Sequence, residues 1–359
     1  MRHFTIRVLS TVALTLAAAC GGSSDEGEQT ASEVRTAAAT TTTFRMTSAD
    51  VGEWFFRLSV KAGKVDGYGL QHNERGMPGF APTKVTGTVD AAGVYELTWL
   101  LAFKGEHPVL LKLKPEGNDL VGTVGDASED VSRHSAARLS PLAAGTMDKD
   151  GRPIAVTYQK AGGDPCQVSV TGAEVLGLGN VKVEDAINAK LTAVVPKAES
   201  LCKAPVESVL GGAGFGVLRP DLLSYSTYLS ANLPNDGVKD EPRQRENIYL
   251  ADGSSVKLWG EVLTPGKSAE ILVEINKIID SFDERRDMMT AADKAELKGI
   301  MAARASGDKL KSEFLLTERG VSFAAPGFSN LRYSSVLVPY AALAPLLVQD
   351  GKARSAWAP

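Results

Sequence analysis

Between residues 54 and 124, short segments rich in aromatic and β-branched residues alternate with turns that contain Gly, Asn or Asp. This alternation is typical of antiparallel strands joined by tight turns. Val65-Asp66-Gly67, Val85-Thr86-Gly87 and Val121-Gly122-Thr123 each place a glycine inside a strand, where glycine often marks a bend. We therefore predict an antiparallel β-meander over residues 44–142 that curls into a small barrel or sandwich.

The aromatic residues of this half can either line a ligand cavity or fill the core. They are Trp54, Phe55, Phe56, Tyr68 and Trp99. Because a small barrel has little spare interior volume, we expect them to fill the core.

Residues 151–348 alternate between helical and strand-like patterns and form the second predicted domain. Apolar residues recur at helical spacing over 181–198 and 268–282, which predicts amphipathic helices. Thr290 is a possible N-cap for a further helix over 288–305. Residues 222–231 alternate between apolar and polar side chains, which predicts a half-buried strand. The glycine-rich run 211–216 is predicted to be a flexible connector.

The start of the chain has the pattern of a secretory signal. Arg2 and Arg7 precede an apolar run from Val8 to Ala19, which ends in small residues directly before Cys20. The run is shorter than the roughly 20 apolar residues that span a bilayer. We predict that residues 1–19 are a signal peptide, and a buried N-terminal helix is the alternative. Residues 20–43 lack large apolar side chains and are predicted to be a disordered tether.

Leu16-Ala17-Ala18-Ala19-Cys20 resembles the bacterial lipobox, although that motif prefers Leu where this chain has Ala17. The resemblance implies that Cys20 is lipidated after cleavage, which would hold the protein on a membrane without a transmembrane helix. By resemblance to enterobacterial sorting rules, the absence of Asp after Cys20 implies the periplasmic face of the outer membrane in a Gram-negative cell, with the inner membrane as the alternative.

Once Cys20 is lipidated, Cys166 and Cys202 remain as a pair. An exported chain lies in a compartment that permits disulfides, so we predict a Cys166–Cys202 bridge, with two free buried thiols as the alternative. Two cysteines without nearby histidines do not have the spacing of a zinc site.

Several function classes lack support in the sequence. The formal net charge is −4, so nucleic acid is not an expected partner. The histidines are scattered, at His3, His72, His107 and His134, and neither a nucleophile elbow nor a phosphate-binding loop is present. We predict no catalytic residue, no metal and no cofactor, and therefore that the protein is not an enzyme.

Two C-terminal segments, 314–323 (FLLTERGVSF) and 336–347 (VLVPYAALAPLL), carry a resemblance to a known family. They resemble the RsiV C-terminal family (domain of unknown function 3298), which is found in the lysozyme-sensing anti-sigma factor RsiV and in some peptidoglycan deacetylases. The similarity extends over residues 222–347 and implies an α+β domain with helices packed on a mostly antiparallel sheet. Residues 233–237 (LPNDG) depart from the loop that family members often have there.

The export signal and this resemblance together predict an envelope lipoprotein with a non-catalytic binding role. The resemblance implies peptidoglycan or a lysozyme-like protein as the partner, and a carbohydrate-modifying or hydrolytic enzyme is the alternative function. Aromatic residues often form the contacts of such surfaces, although core packing explains each of them equally well. The candidate contacts are Tyr225, Tyr228, Tyr249, Trp259 and Tyr340.

Overall fold

A computed structural model describes residues 40–48, 52–71, 79–80, 82–100, 108–163, 165–235, 237–328 and 334–358. The predicted signal peptide, the lipidation site Cys20 and the first part of the predicted tether lie outside these residues, as do His72 and His107. Residues 40–43, predicted to be the end of the tether, instead belong to the first strand of the barrel, Thr40–Ser48. The described residues all belong to one compact unit.

Eight strands of the first half close into an antiparallel barrel in the order β1-β2-β3-β5-β6-β7-β8-β9, with β1 paired to β9. The short strand β4 joins another sheet. The bounds are β1 (Thr40–Ser48), β2 (Gly52–Lys61), β3 (Lys64–Gln71), β4 (Gly79–Phe80), β5 (Thr83–Val89), β6 (Tyr95–Trp99), β7 (Val109–Glu116), β8 (Asp119–Asp126) and β9 (Ser135–Pro141).

Trp54, Phe56 and Trp99 lie in the barrel core, as predicted. The rings of Trp54 and Trp99 meet edge to face with their centroids 4.6 Å apart. Phe55 and Tyr68 differ from the prediction, because they pack outside the barrel against the neighbouring sheet. Successive side chains of a strand point to opposite faces, so Phe55 cannot share the barrel core with Trp54 and Phe56.

Three strand glycines allow the barrel strands to approach closely. A β-carbon on Gly67, Gly87 or Gly122 would overlap a backbone carbonyl oxygen of the neighbouring strand. Only glycine fits where two backbones come this close. The sequence prediction that these glycines help the sheet to curl thus has a direct steric basis.

The second half contains a six-stranded sheet in the order β14-β13-β12-β11-β10-β4. The pairs β11–β12 and β10–β4 are parallel, and the remaining pairs are antiparallel. The bounds are β10 (Ile154–Gly162), β11 (Gln167–Leu176), β12 (Ser208–Leu218), β13 (Leu222–Leu233) and β14 (Gly237–Tyr249). With helices packed on it, this mixed sheet makes the domain α+β, as predicted.

The helix predicted over 181–198 is in fact two helices, α1 (Val181–Thr192) and α2 (Val194–Leu201). The break follows from Pro196, because a proline ring clashes with the carbonyl four residues earlier, here that of Thr192. Both helices pack on one face of the sheet through Ile187, Leu191 and Val194.

The glycine-rich run 211–216 is not a flexible connector, because it lies inside β12 near the middle of the sheet. A β-carbon on Gly211 would come within 3.1 Å of the Cα of Leu229, and one on Gly212 would come equally close to Thr171. These glycines let β12 lie close against both of its neighbours, and so they act in packing.

The C-terminal part adds a three-stranded sheet of β15 (Phe314–Leu316), β16 (Gly320–Ala324) and β17 (Ser335–Pro339). It shares a core with helices α3 (Ser268–Ser281), α4 (Ala291–Ser306) and α5 (Tyr340–Leu343). Thr290 caps α4, as predicted, in a capping box with Asp293.

Hydrogen bonds join β15 to the six-stranded sheet. Ser224 Oγ donates to the carbonyl of Leu316 at 2.5 Å. The Asn247 side chain donates to the Phe314 carbonyl at 3.0 Å and accepts from the Leu316 amide at 2.8 Å. The two sheets of the second half are therefore one connected body.

The predicted disulfide is confirmed. Cys166, just before β11, is bonded to Cys202, just after α2, with their Cα atoms 5.5 Å apart. Both cysteines are buried. The bridge ties the end of the helical segment to the sheet on which it packs.

Candidate binding cleft

A cleft of about 360 Å³ lies between α1 and the strands β13 and β14. Sites for small molecules commonly measure about 300–1,000 Å³, so this volume is enough for a ligand. Its lining consists of Asn180, Lys182, Val183, Ala186, Ile187, Lys190, Tyr225, Glu246, Ile248, Asp252, Gly253 and Ser255.

Two asparagine side chains hold α1, the wall of the cleft, in place. Asn180 Oδ1 caps the helix by accepting from the Val183 amide at 3.3 Å, while its Nδ2 donates to the Ala251 carbonyl at 2.9 Å. Asn188 makes two 2.8 Å hydrogen bonds to the backbone of Val175 on β11. An amide with two hydrogen bonds to neighbouring backbone fixes a helix in orientation as well as position, so the cleft has a defined wall.

A charged hydrogen-bond network joins the two walls. Lys190 Nζ lies 2.5 and 2.7 Å from the two carboxylate oxygens of Glu246. The hydroxyl of Tyr225 donates to the same carboxylate at 2.9 Å. Burial, followed by the charge of Glu246, raises the pKa of Tyr225, so this phenol stays a donor at physiological pH.

The cleft presents both signs of charge over an apolar base of Val183, Ile187 and Ile248. Lys182 and Asp252, which carry opposite charges, both belong to its lining. Hydrogen bonds from the side chain and backbone of Ser254 lower the pKa of Asp252. A ligand that combines an apolar part with both hydrogen-bond donors and acceptors matches this lining.

A smaller hollow of about 70 Å³ shares Lys190 with the cleft. Its lining also includes Lys197 and Tyr228. The ring of Tyr228 is 42% exposed, and the guanidinium of Arg243 lies 5.0 Å from its centroid. The hollow extends the candidate site along the helical wall towards α2.

The five aromatic residues proposed from sequence do not form one surface. Tyr225 lines the cleft and Tyr228 lines the hollow. Tyr249, Trp259 and Tyr340 instead lie in or against the core that α3, α4 and the three-stranded sheet share.

Each of those three aromatic residues has a packing or hydrogen-bond partner in that region. Tyr249 donates to Glu261 Oε2 at 3.0 Å. Trp259 Nε1 donates to Asp308 Oδ1 at 2.9 Å. The ring of Tyr340 packs 5.8 Å from that of Trp357.

Sequence reasoning missed Lys182, Lys190 and Glu246. The signal for the lysines was present, since they lie on the polar side of a predicted amphipathic helix. Glu246 lies 56 residues beyond Lys190, and no local pattern relates the two positions. Their contact follows from the way α1 packs across the sheet.

A buried polar cluster connects the barrel to the wall of the cleft. Glu174 on β11 is 2% exposed and accepts from the Tyr68 hydroxyl of β3 at 2.9 Å. Arg57 of β2 lies 3.9 Å from Glu174 and donates to Asp185 of α1 at 3.0 Å. Burial raises the pKa of Glu174, against the opposing effects of Tyr68 and Arg57.

Over the described ranges, no group of three or more His, Cys, Asp or Glu residues is placed to hold a metal ion. The ring of His134 hydrogen-bonds the backbone carbonyl of Asp126. Among the helices of this part of the chain, none has the length and apolar character needed to cross a bilayer.

No protein-family model and no curated protein matches the sequence. One similar solved structure is that of a DUF3298 family member from Bacteroides fragilis, which is 11% identical, with 55% of this chain and 94% of that chain covered and a TM-score of 0.35. Another is that of a DUF3298 family protein from Pseudomonas aeruginosa, which is 12% identical, with 55% and 93% covered and a TM-score of 0.32. Both neighbours carry the name of the family that the C-terminal motifs resemble.

Proposed function

We propose that this protein is a lipid-anchored component of the bacterial envelope that binds a partner without catalysis, through the cleft between α1 and β14. The observation that carries the proposal is the cleft itself, which has a volume of about 360 Å³ and both apolar and charged groups in its lining. The motifs near Cys20 add the anchor, and its proposed location is the periplasmic face of the outer membrane, with the inner membrane as the alternative.

The cleft lining favours cell-wall material as the ligand. A peptidoglycan fragment carries methyl groups, amides, carboxylates and amines on one short molecule. Lys182 can pair with a carboxylate and Asp252 with an amine, while Val183 and Ile187 offer apolar contact. A lysozyme-like protein is the second candidate partner, and a loop of such a protein would have to enter the same cleft.

The test is retention of the full chain on purified peptidoglycan and, separately, on immobilised lysozyme. Ala186 and Ala189 are both exposed residues of α1, but only Ala186 lines the cleft. Ala186→Trp should abolish retention because an indole fills the cleft, whereas Ala189→Trp should leave retention unchanged. Retention on neither material, or equal retention of both variants, would contradict the proposed site.

The non-catalytic part of the proposal has its own test. The full chain is incubated with acetylated peptidoglycan, and released acetate and soluble sugars are measured. We expect no turnover. Turnover that Glu246→Gln abolishes would show instead that the cleft is the active site of a carbohydrate-modifying enzyme.

The anchor is tested by metabolic labelling with radioactive palmitate. The wild-type chain should carry label and fractionate with membranes, and its mature form should begin at Cys20. Cys20→Ala should lose both label and membrane association. An unlabelled wild-type chain would remove the anchor from the proposal without affecting the cleft.

A further inference from the structure

A second group of charged residues lies between β14 and α4, away from the cleft lining. Arg304, near the end of α4, is 8% exposed, and its Nη2 lies 2.5 Å from Glu313 Oε2. Arg245 of β14 is also largely removed from solvent, and its Nη1 donates to the Ser322 carbonyl at 3.3 Å. Two guanidinium groups are therefore held inside the protein near one carboxylate.

Both guanidinium groups have buried donors without an acceptor. In the described part of the chain, Arg245 Nε and Arg304 Nε are shielded from solvent and make no hydrogen bond. A buried donor left unpaired costs roughly 1–3 kcal/mol, and more when the group is charged. Two such donors in one region indicate that a partner is missing.

The charge balance points to an anion as that partner. Burial lowers the pKa of Arg245 to about 10, and the positive charges of Arg243 and Arg304 act in the same direction, with Glu313 opposing them. Glu313 is 42% exposed at its side chain, so water weakens its compensation of the two arginines. Positive charge thus exceeds negative charge at this location.

The region also reaches the surface. Arg243 and Arg245 are two residues apart on β14, beside the register irregularity opposite Tyr228, and the charge of Arg243 acts on Arg245. Arg243 is exposed, and its guanidinium stacks on the exposed ring of Tyr228 at 5.0 Å from the centroid. Arg243 and Tyr228 are the exposed neighbours past which an anion would approach.

We propose that Arg245 and Arg304 form an anion-binding site, with Arg243 at its entrance, that takes the phosphate or carboxylate group of a ligand. A guanidinium presents its donors in a planar fork that matches two oxygens of either group. The bound oxygens would accept from the two unpaired Nε donors and balance the excess positive charge. The three arginines do not line the cleft, and the proposal does not depend on the proposed function.

The test is calorimetric titration of the full chain with inorganic phosphate and, separately, with acetate, at constant ionic strength set with sodium chloride. The wild-type chain should bind at least one of the two, and the tighter one identifies the anionic group. Arg304→Gln should weaken that binding about tenfold or more, because a hydrogen bond to a charged group is lost. Arg285→Gln is the matched control, since Arg285 is an exposed arginine elsewhere, and it should bind like the wild type.

Arg245→Lys provides an independent variant if Arg304→Gln does not fold. It keeps the positive charge but removes the guanidinium fork, and it should also weaken binding. The proposal is overturned if neither anion binds the wild-type chain, or if the folded variants bind as tightly as Arg285→Gln. Ala186→Trp should bind the anion normally, so that a failure of the cleft and a failure of this site are distinguishable.

Discussion

Replacing Gly87 with alanine tests the steric account of the barrel. Gly87 of β5 lies opposite Leu97 of β6, and an added β-carbon would overlap the carbonyl oxygen of Glu96 and lie 2.9 Å from the Cα of Leu97. Both neighbours are backbone atoms, so no side-chain rotation relieves the overlap. The two strands must separate for alanine to fit.

The cost follows from these distances. An added β-carbon would lie 2.1 Å from the Glu96 carbonyl oxygen, and real β-carbons essentially never come within 3.0 Å of another heavy atom, so the strands must part by about 0.9 Å or more. Such overpacking costs about 1–3 kcal/mol, and each strained ladder hydrogen bond adds up to about 1 kcal/mol. The lower entropy of unfolded alanine offsets about 0.4–1 kcal/mol. We expect Gly87→Ala to lower the free energy of unfolding by about 2–3 kcal/mol.

The assay is guanidinium denaturation followed by tryptophan fluorescence, since Trp54 and Trp99 both lie in the barrel core. Gly214→Ala is the control, because Gly214 is also in a strand but an added β-carbon there would have no atom within 4 Å. The control should change stability by less than about 1 kcal/mol. Equal denaturation midpoints for the two variants would refute the claim that Gly87 is required by close strand contact.

Three further changes have defined outcomes. Gly299→Ala should raise the free energy of unfolding by about 1 kcal/mol, because Gly299 is an exposed position inside α4 with open space around it. Denaturation measures this change, and an unchanged free energy of unfolding would contradict the prediction. Reduction of the Cys166–Cys202 bridge, which spans 36 residues, should lower the free energy of unfolding by about 3–4 kcal/mol. Dithiothreitol should therefore lower the denaturation midpoint of the wild type, but not that of a variant in which both cysteines are replaced by alanine. Burial raises the pKa of Glu174 in the folded state. Proton binding by this carboxyl therefore stabilises the folded state fully at a pH below 4.5, the ordinary pKa, and the stabilisation is lost as the pH rises through the folded-state pKa. Glu174→Gln should therefore gain stability relative to the wild type as the pH rises from 4.5, and a pH-independent difference in urea unfolding would contradict the burial argument.

Local patterns were sufficient to predict much of the barrel. Alternating side chains and tight turns predicted its strands, and glycines such as Gly67 and Gly122 predicted the bends. Closure of the barrel depends on pairing between β1 and β9, where Phe44 lies opposite Pro141. Contacts over such a separation leave no local pattern in the sequence.

Two of the secondary-structure predictions were wrong for identifiable physical reasons. Apolar spacing continues from α1 into α2, so it predicted one helix, although Pro196 already forbids the helical bond near Thr192. The glycine-rich middle of β12, residues 211–216, resembled a connector because local propensity disfavours glycine in strands. Close packing against β11 and β13 overrides that propensity.

The candidate cleft was beyond prediction from local sequence. Tyr225 was identified as an aromatic candidate, but its role in the cleft depends on the hydroxyl contact with Glu246. Lys190 reaches the same carboxylate from α1. These residues meet because α1 crosses the sheet close to β14, which is a property of the tertiary structure.

Hydrogen–deuterium exchange of the full chain, with and without soluble peptidoglycan fragments or lysozyme, tests the binding cleft most directly. With the true partner, exchange should slow in α1 and in residues 244–255, which form the two walls, and stay unchanged in the barrel. Protection that appears only in the barrel or around α3, or no protection with either partner, would contradict the assignment of the cleft as the binding site.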